Sequence, residues 1–177
     1  MVELKKIAQF APESSVYFRI AVSNEGAQWK LNDKFGVAES EVISLFENAY
    51  SLKLNPTGIS FHVGWNNTDT SDWRLAMQMC QRIAGGLLSN DISLNFINIG
   101  GGFPAHRVDH TQCLKRISEA MQPFLKSFVQ QGISIMAEPG SFFLANAGVM
   151  LTKVVEVIKR GEKKWIYLDT GIMQGFA

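Results

Sequence analysis

The run Gly58-Ile59-Ser60-Phe61-His62-Val63-Gly64, followed by a polar break, the periodic segment Trp73–Leu88 and then Leu94-Asn95-Phe96-Ile97-Asn98-Ile99-Gly100-Gly101-Gly102, decides the fold. Ile59–Val63 and Leu94–Ile99 are short apolar runs rich in β-branched and aromatic residues, as expected of strands covered on both faces. Between them, opened by Ser71 or Asp72, residues 73–88 carry apolar positions at helical spacing. Strand, helix, strand in that order is a βα unit, and such units build a parallel sheet. The pattern repeats outward at intervals of about 40 residues. Upstream, Val16-Tyr17-Phe18-Arg19-Ile20-Ala21-Val22 reads as a strand. A helix spans Glu39–Lys53, with Ser40 as its N-cap, and Asn55-Pro56-Thr57-Gly58 reads as a break. Downstream, Cys113–Gln130 reads as a helix that Pro123 kinks or divides, and Ile133–Ala137 as a fourth strand. Residues 2–9 read as the tail of a helix.

After Ala145 the texture changes. Val149–Ile158 is a long β-rich run, Lys159–Lys164 a polar turn and Trp165–Asp169 another strand, which together predict an antiparallel hairpin. The expected division is therefore 1–147 for the α/β part and 148–177 for the start of a β domain.

Composition narrows the classes of function. The chain has 177 residues, 46% hydrophobic and 19% charged, with a formal net charge of +1. That is the makeup of a globular core, without the basic excess of a general nucleic-acid surface. No run approaches the length of a membrane span, and Met1-Val2-Glu3-Leu4-Lys5-Lys6 does not open a secretory signal. Cys80 and Cys113 are far apart and form no CxxC, which points to a reducing cytoplasm.

Three features carry chemistry. Gly100-Gly101-Gly102 directly follows a strand; three residues without Cβ expose backbone N–H groups to an anion such as a phosphate, or simply form a tight turn. His62 ends a second strand. Glu138, in Ala137-Glu138-Pro139-Gly140, ends a third, where a partly buried carboxylate needs a cation or donor as partner. All three fall at the carboxyl ends of parallel strands, where α/β folds bind ligands. His62, His106 and His110 lack the spacing of a zinc site, and neither a nucleophile elbow nor a GxxxxGK[ST] loop occurs. Phe124, Phe128, Met77 and Met79 lie at helical spacing and read as core.

Lys34-Phe35-Gly36-Val37, Gly58–Gly64, Asn98-Ile99-Gly100-Gly101-Gly102-Phe103-Pro104 and Ala137–Gly140 stand in the order and spacing seen in one family. The chain resembles the fold-type III pyridoxal-phosphate decarboxylases, the ornithine/diaminopimelate/arginine group related to alanine racemases. Ile166-Tyr167-Leu168-Asp169-Thr170-Gly171 looks most like the ornithine/lysine branch.

The resemblance implies a (β/α)8 barrel followed by a β domain. A complete barrel needs about 250 residues, so the expectation is a fragment: the later βα units, then the first strands of the β domain. It implies pyridoxal 5′-phosphate as cofactor, an amino-acid substrate, and a homodimer in the full-length family. His62 would stack on the pyridine ring, Gly100, Gly101 and Gly102 would hold the phosphate, and Glu138 would keep the ring nitrogen protonated. Gly140 and Ser141 are assigned to the same cofactor site. Departures are equally specific. No segment matches the family's Schiff-base lysine, since Lys30 and Lys34 belong to another motif, and its β-domain cysteine, aspartate and tyrosine find no match. Ser141 stands where an arginine usually binds phosphate, and Trp65 where relatives carry a small serine. A decarboxylase of ornithine or lysine is one reading; a non-catalytic relative or a phosphate-binding module are the others. By itself the fragment is expected to be inactive, and insoluble or oligomeric because sheet edges stay open.

Overall fold

The computed structural model describes residues 2–32, 34–105, 110–171 and 174. The chain divides into two compact units, residues 1–145 and 146–177. In the first, α1 (Val2–Phe10), β1 (Ser15–Arg19), a short 3-10 turn (Glu39–Glu41), α2 (Val42–Ser51), β2 (Asn55–Ser60), α3 (Thr70–Leu88), β3 (Phe96–Asn98), α4 (His110–Gln130), β4 (Ser134–Met136) and α5 (Gly140–Leu144) follow in order. The four strands form one parallel sheet in the order β1-β2-β3-β4, each joined to the next through a helix. This is the succession of barrel units that the repeat predicts.

One face of the sheet is sealed by the helices. Phe18, Ile59 and Ile97 of the strands meet Phe46 and Ala49 of α2, Trp73, Met77, Cys80 and Leu87 of α3, and Cys113, Ile117, Met121 and Phe128 of α4 in one buried cluster. Met79 and Phe124 pack against it half-buried. Cys80 and Cys113 are buried free thiols. Pro123 lies inside a single continuous α4. A proline removes one backbone hydrogen bond, but Cys113, Ile117, Met121 and Phe128 anchor the same helical face on both sides of it.

The opposite face is the side that a closed barrel would turn inward. Register aligns Tyr17, Gly58, Phe96 and Ser134 in one row, and Arg19, Ser60, Asn98 and Met136 in the next. Gly58 leaves room for its neighbours: the Phe96 ring lies across it and meets Tyr17 edge-on, with centroids 5.4 Å apart. A Cβ on Gly58 would stand 2.7 Å from that ring.

Some boundaries differ from the sequence reading. Residues 55–58 are the first four residues of β2; the turn sits earlier, at Lys53, whose φ is +57°. Pro56 is tolerated because the β1–β2 register shifts beside it, at Val16/Tyr17, where an N–H is missing from the ladder. Helix α3 is capped by Asp69, which accepts from the Ser71 N–H at 2.8 Å, and not by Ser71 or Asp72. Ser40 lies inside the 3-10 turn that precedes α2.

The second unit is an antiparallel hairpin of β5 (Val154–Arg160) and β6 (Lys163–Leu168). Its turn is the two residues Gly161-Glu162, shorter than the polar stretch suggests, with Gly161 at φ +61°. Asp169 ties its open end, accepting from Thr152 Oγ1 at 3.0 Å and from the Lys153 N–H at 2.9 Å. Among the described residues no helix is long and apolar enough to cross a membrane.

The inward row yields a stability prediction. Gly58→Ala should destabilise the chain by about 1–3 kcal/mol in urea unfolding, and Phe96→Leu in the same background should recover part of the loss. Equal stability of Gly58→Ala and the parent would contradict this packing.

Candidate functional site at the strand ends

The carboxyl ends of the four strands converge on one rim. Arg19 closes β1; Ser60 ends β2, with Phe61 and His62 directly after it; the glycine triplet follows β3; Glu138 follows β4. A cavity of about 260 Å³ is lined by Tyr17, Arg19, Ser60, Phe61, His62 and Glu138. The triplet lies between its two functional walls: a Cβ on Gly101 would be 3.1 Å from His62 Nε2 and 2.7 Å from the Glu138 carbonyl oxygen. His62 and Glu138 thus line the cavity, and Gly101 stands beside both without lining it.

The glycines are required where they stand. Gly100 and Gly102 have φ of +65° and +96°. A Cβ there would lie 2.0 Å from the Phe61 carbonyl oxygen and 2.1 Å from that of Gly64. The turn is held at both ends. The Gly100 N–H donates to Asn98 Oδ1 at 2.9 Å, and the Gly102 carbonyl accepts from the Asn67 N–H at 2.8 Å. Among the described residues, neither the Gly101 nor the Gly102 N–H donates a hydrogen bond, although both residues are buried. Two buried glycines with unengaged N–H groups are what a bound anion would need.

Glu138 departs from the sequence reading in one respect. It is exposed in this chain, and its direct partner is an amide: Asn98 Nδ2 donates to Glu138 Oε1 at 2.7 Å. Asn98 thereby grips the glycine turn with one end of its side chain and the carboxylate with the other. The Glu138 N–H also donates to the Gly100 carbonyl at 2.8 Å.

His62 is held as one tautomer. The Gly64 N–H donates to its Nδ1 at 3.0 Å, which leaves the proton of the neutral ring on Nε2. Burial pushes its pKa below the ordinary 6.5; the Arg19 guanidinium pushes the same way, and the Glu138 carboxylate opposes both. A neutral, flat imidazole suits packing against the face of a heteroaromatic ring.

Gly140 and Ser141 lie just beyond this rim. Gly140 opens α5, donating its N–H to the Glu138 carbonyl at 2.8 Å, and the position of its missing Cβ is open. Neither residue lines the cavity, and nor does Trp65. Trp65 instead pairs through its backbone with the loop after β1, donating to the Trp29 carbonyl and accepting from Gln28, both at 3.0 Å. Lys30 pairs with Glu25, and Lys34 lies 5.3 Å from the centroid of the Phe35 ring. His106 falls outside the described residues, as does the His110 side chain; among the described residues no cluster of three metal-ligating side chains occurs.

Sequence reasoning missed Arg19, Asn98 and Asp72. Arg19 is the one charge in the apolar run 16–22, and Asn98 is a polar residue in an otherwise apolar strand. Each is a signal, but nothing in the sequence says which strand face it occupies. Asp72 gives less: it reads as a first-turn acid, whereas it is 2% exposed.

The donor set fits pyridoxal 5′-phosphate: unpartnered glycine N–H groups for an ester phosphate, a neutral ring wall, and a fixed carboxylate across the cavity for a ring nitrogen. One solution property follows from His62. Because its folded pKa lies below 6.5, the unfolded chain binds the extra proton first on acidification. The His62 contribution to stability is therefore complete above 6.5 and is lost as pH falls toward the folded value. Unfolding midpoints measured from pH about 7.5 to about 5.5 should fall less steeply for His62→Gln than for the parent; identical slopes would contradict the burial of the ring.

Comparison with known proteins identifies the family. Residues 1–145 match the family model described as pyridoxal-dependent decarboxylase, pyridoxal binding domain. The chain is 30% identical over 180 residues to a lysine/ornithine decarboxylase of Selenomonas ruminantium, covering 99% of this chain and 44% of that protein. The crystal structure of the Paramecium bursaria Chlorella virus arginine decarboxylase superposes with a TM-score of 0.78 at 25% identity, covering 99% of this chain and 49% of that one. That of SrLDC in complex with PLP and cadaverine superposes with a TM-score of 0.69 at 28% identity, covering 97% and 43%. The chain therefore spans less than half the length of these relatives. With the barrel units, the glycine turn and the family match in agreement, the chain belongs to the pyridoxal-dependent decarboxylases, within their pyridoxal-binding domain.

Proposed function

We propose that the protein decarboxylates a basic amino acid, ornithine or lysine, using pyridoxal 5′-phosphate seated on the rim described above, with this chain holding part of the active site. The observation that carries this reading is that His62 and Glu138 line a single cavity while Gly101 of the triplet stands against both residues. The relatives act on lysine, ornithine and arginine by name, which supports a basic substrate.

In this reading each residue has a physical task. Gly101 and Gly102 direct their N–H groups at the phosphate, with Gly100 shaping the turn. His62 presents its neutral ring to one face of the cofactor. Glu138 accepts a hydrogen bond from the pyridine nitrogen and, as a carboxylate, holds a proton there. When bound, a protonated pyridine supplies the electron sink for the charge left as carbon dioxide departs. Asn98 keeps Glu138 in place, and Arg19 disfavours a second positive charge on His62. Ser141 brings a hydroxyl where an arginine would bring a charge-assisted contact worth about 1.5–3 kcal/mol, so the phosphate is held mainly by the backbone. Gly140 is assigned to the same cofactor site and opens α5 beside it.

The hairpin β5–β6 belongs in this reading to the start of a β domain from about residue 148, and the assembled enzyme is a cytoplasmic homodimer. The observation favouring a non-catalytic relative instead is the serine at 141.

Titration with pyridoxal 5′-phosphate should quench tryptophan fluorescence in a saturable way. A protein that joins this chain to a Schiff-base lysine should release carbon dioxide from L-ornithine or L-lysine, whereas the chain by itself should turn over neither. Glu138→Gln should lower that turnover about 100-fold or more while the cofactor still binds. Binding without turnover on any basic amino acid would favour the non-catalytic relative; no binding would overturn both.

A further inference from the structure

The Asp72 carboxylate is 2% exposed and lies in the first turn of α3, away from the cavity walls. Three donors from two loops converge on it. Ser23 Oγ donates to Oδ1 at 2.5 Å, and the Gly26 N–H and Asn67 Nδ2 donate to Oδ2 at 2.9 and 2.8 Å. A buried carboxylate is costly unless its lone pairs are engaged. Here they are, and the engagement ties the loop after β1, the loop after β2 and helix α3 to one point.

Asn67 carries that constraint to the site. Its Nδ2 also donates to the Val63 carbonyl at 2.8 Å, one residue beyond His62. Its Oδ1 accepts from the Asp69 N–H at 2.8 Å, and its own N–H donates to the Gly102 carbonyl at 2.8 Å. Neighbouring Asn66, with φ +50°, accepts from the Ala105 N–H at 2.9 Å. The far end of the glycine turn is thus fixed by Asn67, whose side chain is fixed in turn by Asp72.

We propose that Asp72, acting through Asn67, is a positioning residue for the phosphate seat: it holds Gly102 and the Val63 segment that follows β2 in the relative placement that aims the Gly101 and Gly102 N–H groups at one anion. This rests on the cofactor reading above. Neither residue lines the cavity. With Ser141 in place of an arginine, the alignment of backbone donors carries more of the phosphate affinity, and a misaligned turn is not rescued by a side-chain charge.

The test compares pyridoxal 5′-phosphate with pyridoxal, which lacks the phosphate, by tryptophan-fluorescence titration, with thermal unfolding in parallel. For the parent, the phosphate form should bind more tightly. Asp72→Ala and Asn67→Ala should each weaken pyridoxal 5′-phosphate by about tenfold or more and pyridoxal by less than about twofold. Asp72→Asn should stay within about threefold of the parent, because its amide can turn its NH2 to Ser23 and keep its carbonyl for Gly26 and Asn67. If Asp72→Ala does not fold, Asn67→Ala carries the same comparison. The proposal is overturned if both ligands weaken together, if only the melting temperature moves, or if the parent binds the two ligands equally. A parent that binds neither removes the cofactor reading as well, which separates that failure from the others.

Discussion

The site depends on one side chain that bridges two strand ends. Asn98 is 2% exposed, accepts from the Gly100 N–H and donates to the Glu138 carboxylate. A neutral amide is suited to this because it is donor and acceptor at once; an aspartate or leucine of similar size would satisfy one partner or neither. The bond to Gly100 sets where the left-handed turn begins, and the bond to Glu138 sets where the carboxylate stands across the cavity. Parallel pairing of β3 with β4 places both partners within reach, so the secondary structure and the site share one register. A one-residue slip would turn Asn98 to the helix-covered face and break both contacts.

Charge on the rim is arranged with the same economy of parts. Arg19, His62 and Glu138 line one cavity. Two of them are full charges of opposite sign, and the ring between them stays neutral because burial and Arg19 together outweigh Glu138. A neutral ring can lie flat against an aromatic cofactor without repelling a protonated pyridine nitrogen. The carboxylate is then left free of an imidazolium partner and available to that nitrogen.

Much of this was legible in the sequence because it is written in local chemistry. Repeating apolar strands and periodic helices fixed the parallel sheet, and the glycines at 100–102 announced a turn that no residue with a Cβ could make. His62 and Glu138 stood out because each follows an apolar run at once. What could not be read was the pairing across the sheet. Nothing local says that Asn98 reaches Glu138, that Arg19 faces the cavity while Phe18 faces the helices, or that Asp72 is buried and not capping its helix. Those facts depend on which strands are neighbours and on which face each residue occupies. The misplaced turn at 55–58 has a similar origin: Pro56 and Gly58 look like breakers, but one sits beside a register shift and the other clears space for the Phe96 ring.

A crystal structure of the protein with pyridoxal 5′-phosphate addresses the central claim most directly. The account predicts the phosphate within hydrogen-bond reach of the Gly101 and Gly102 N–H groups, the His62 ring against one face of the pyridine, and the Glu138 carboxylate at its nitrogen. A cofactor seated elsewhere on the chain, with the glycine turn and Glu138 left without contact to it, would contradict that claim.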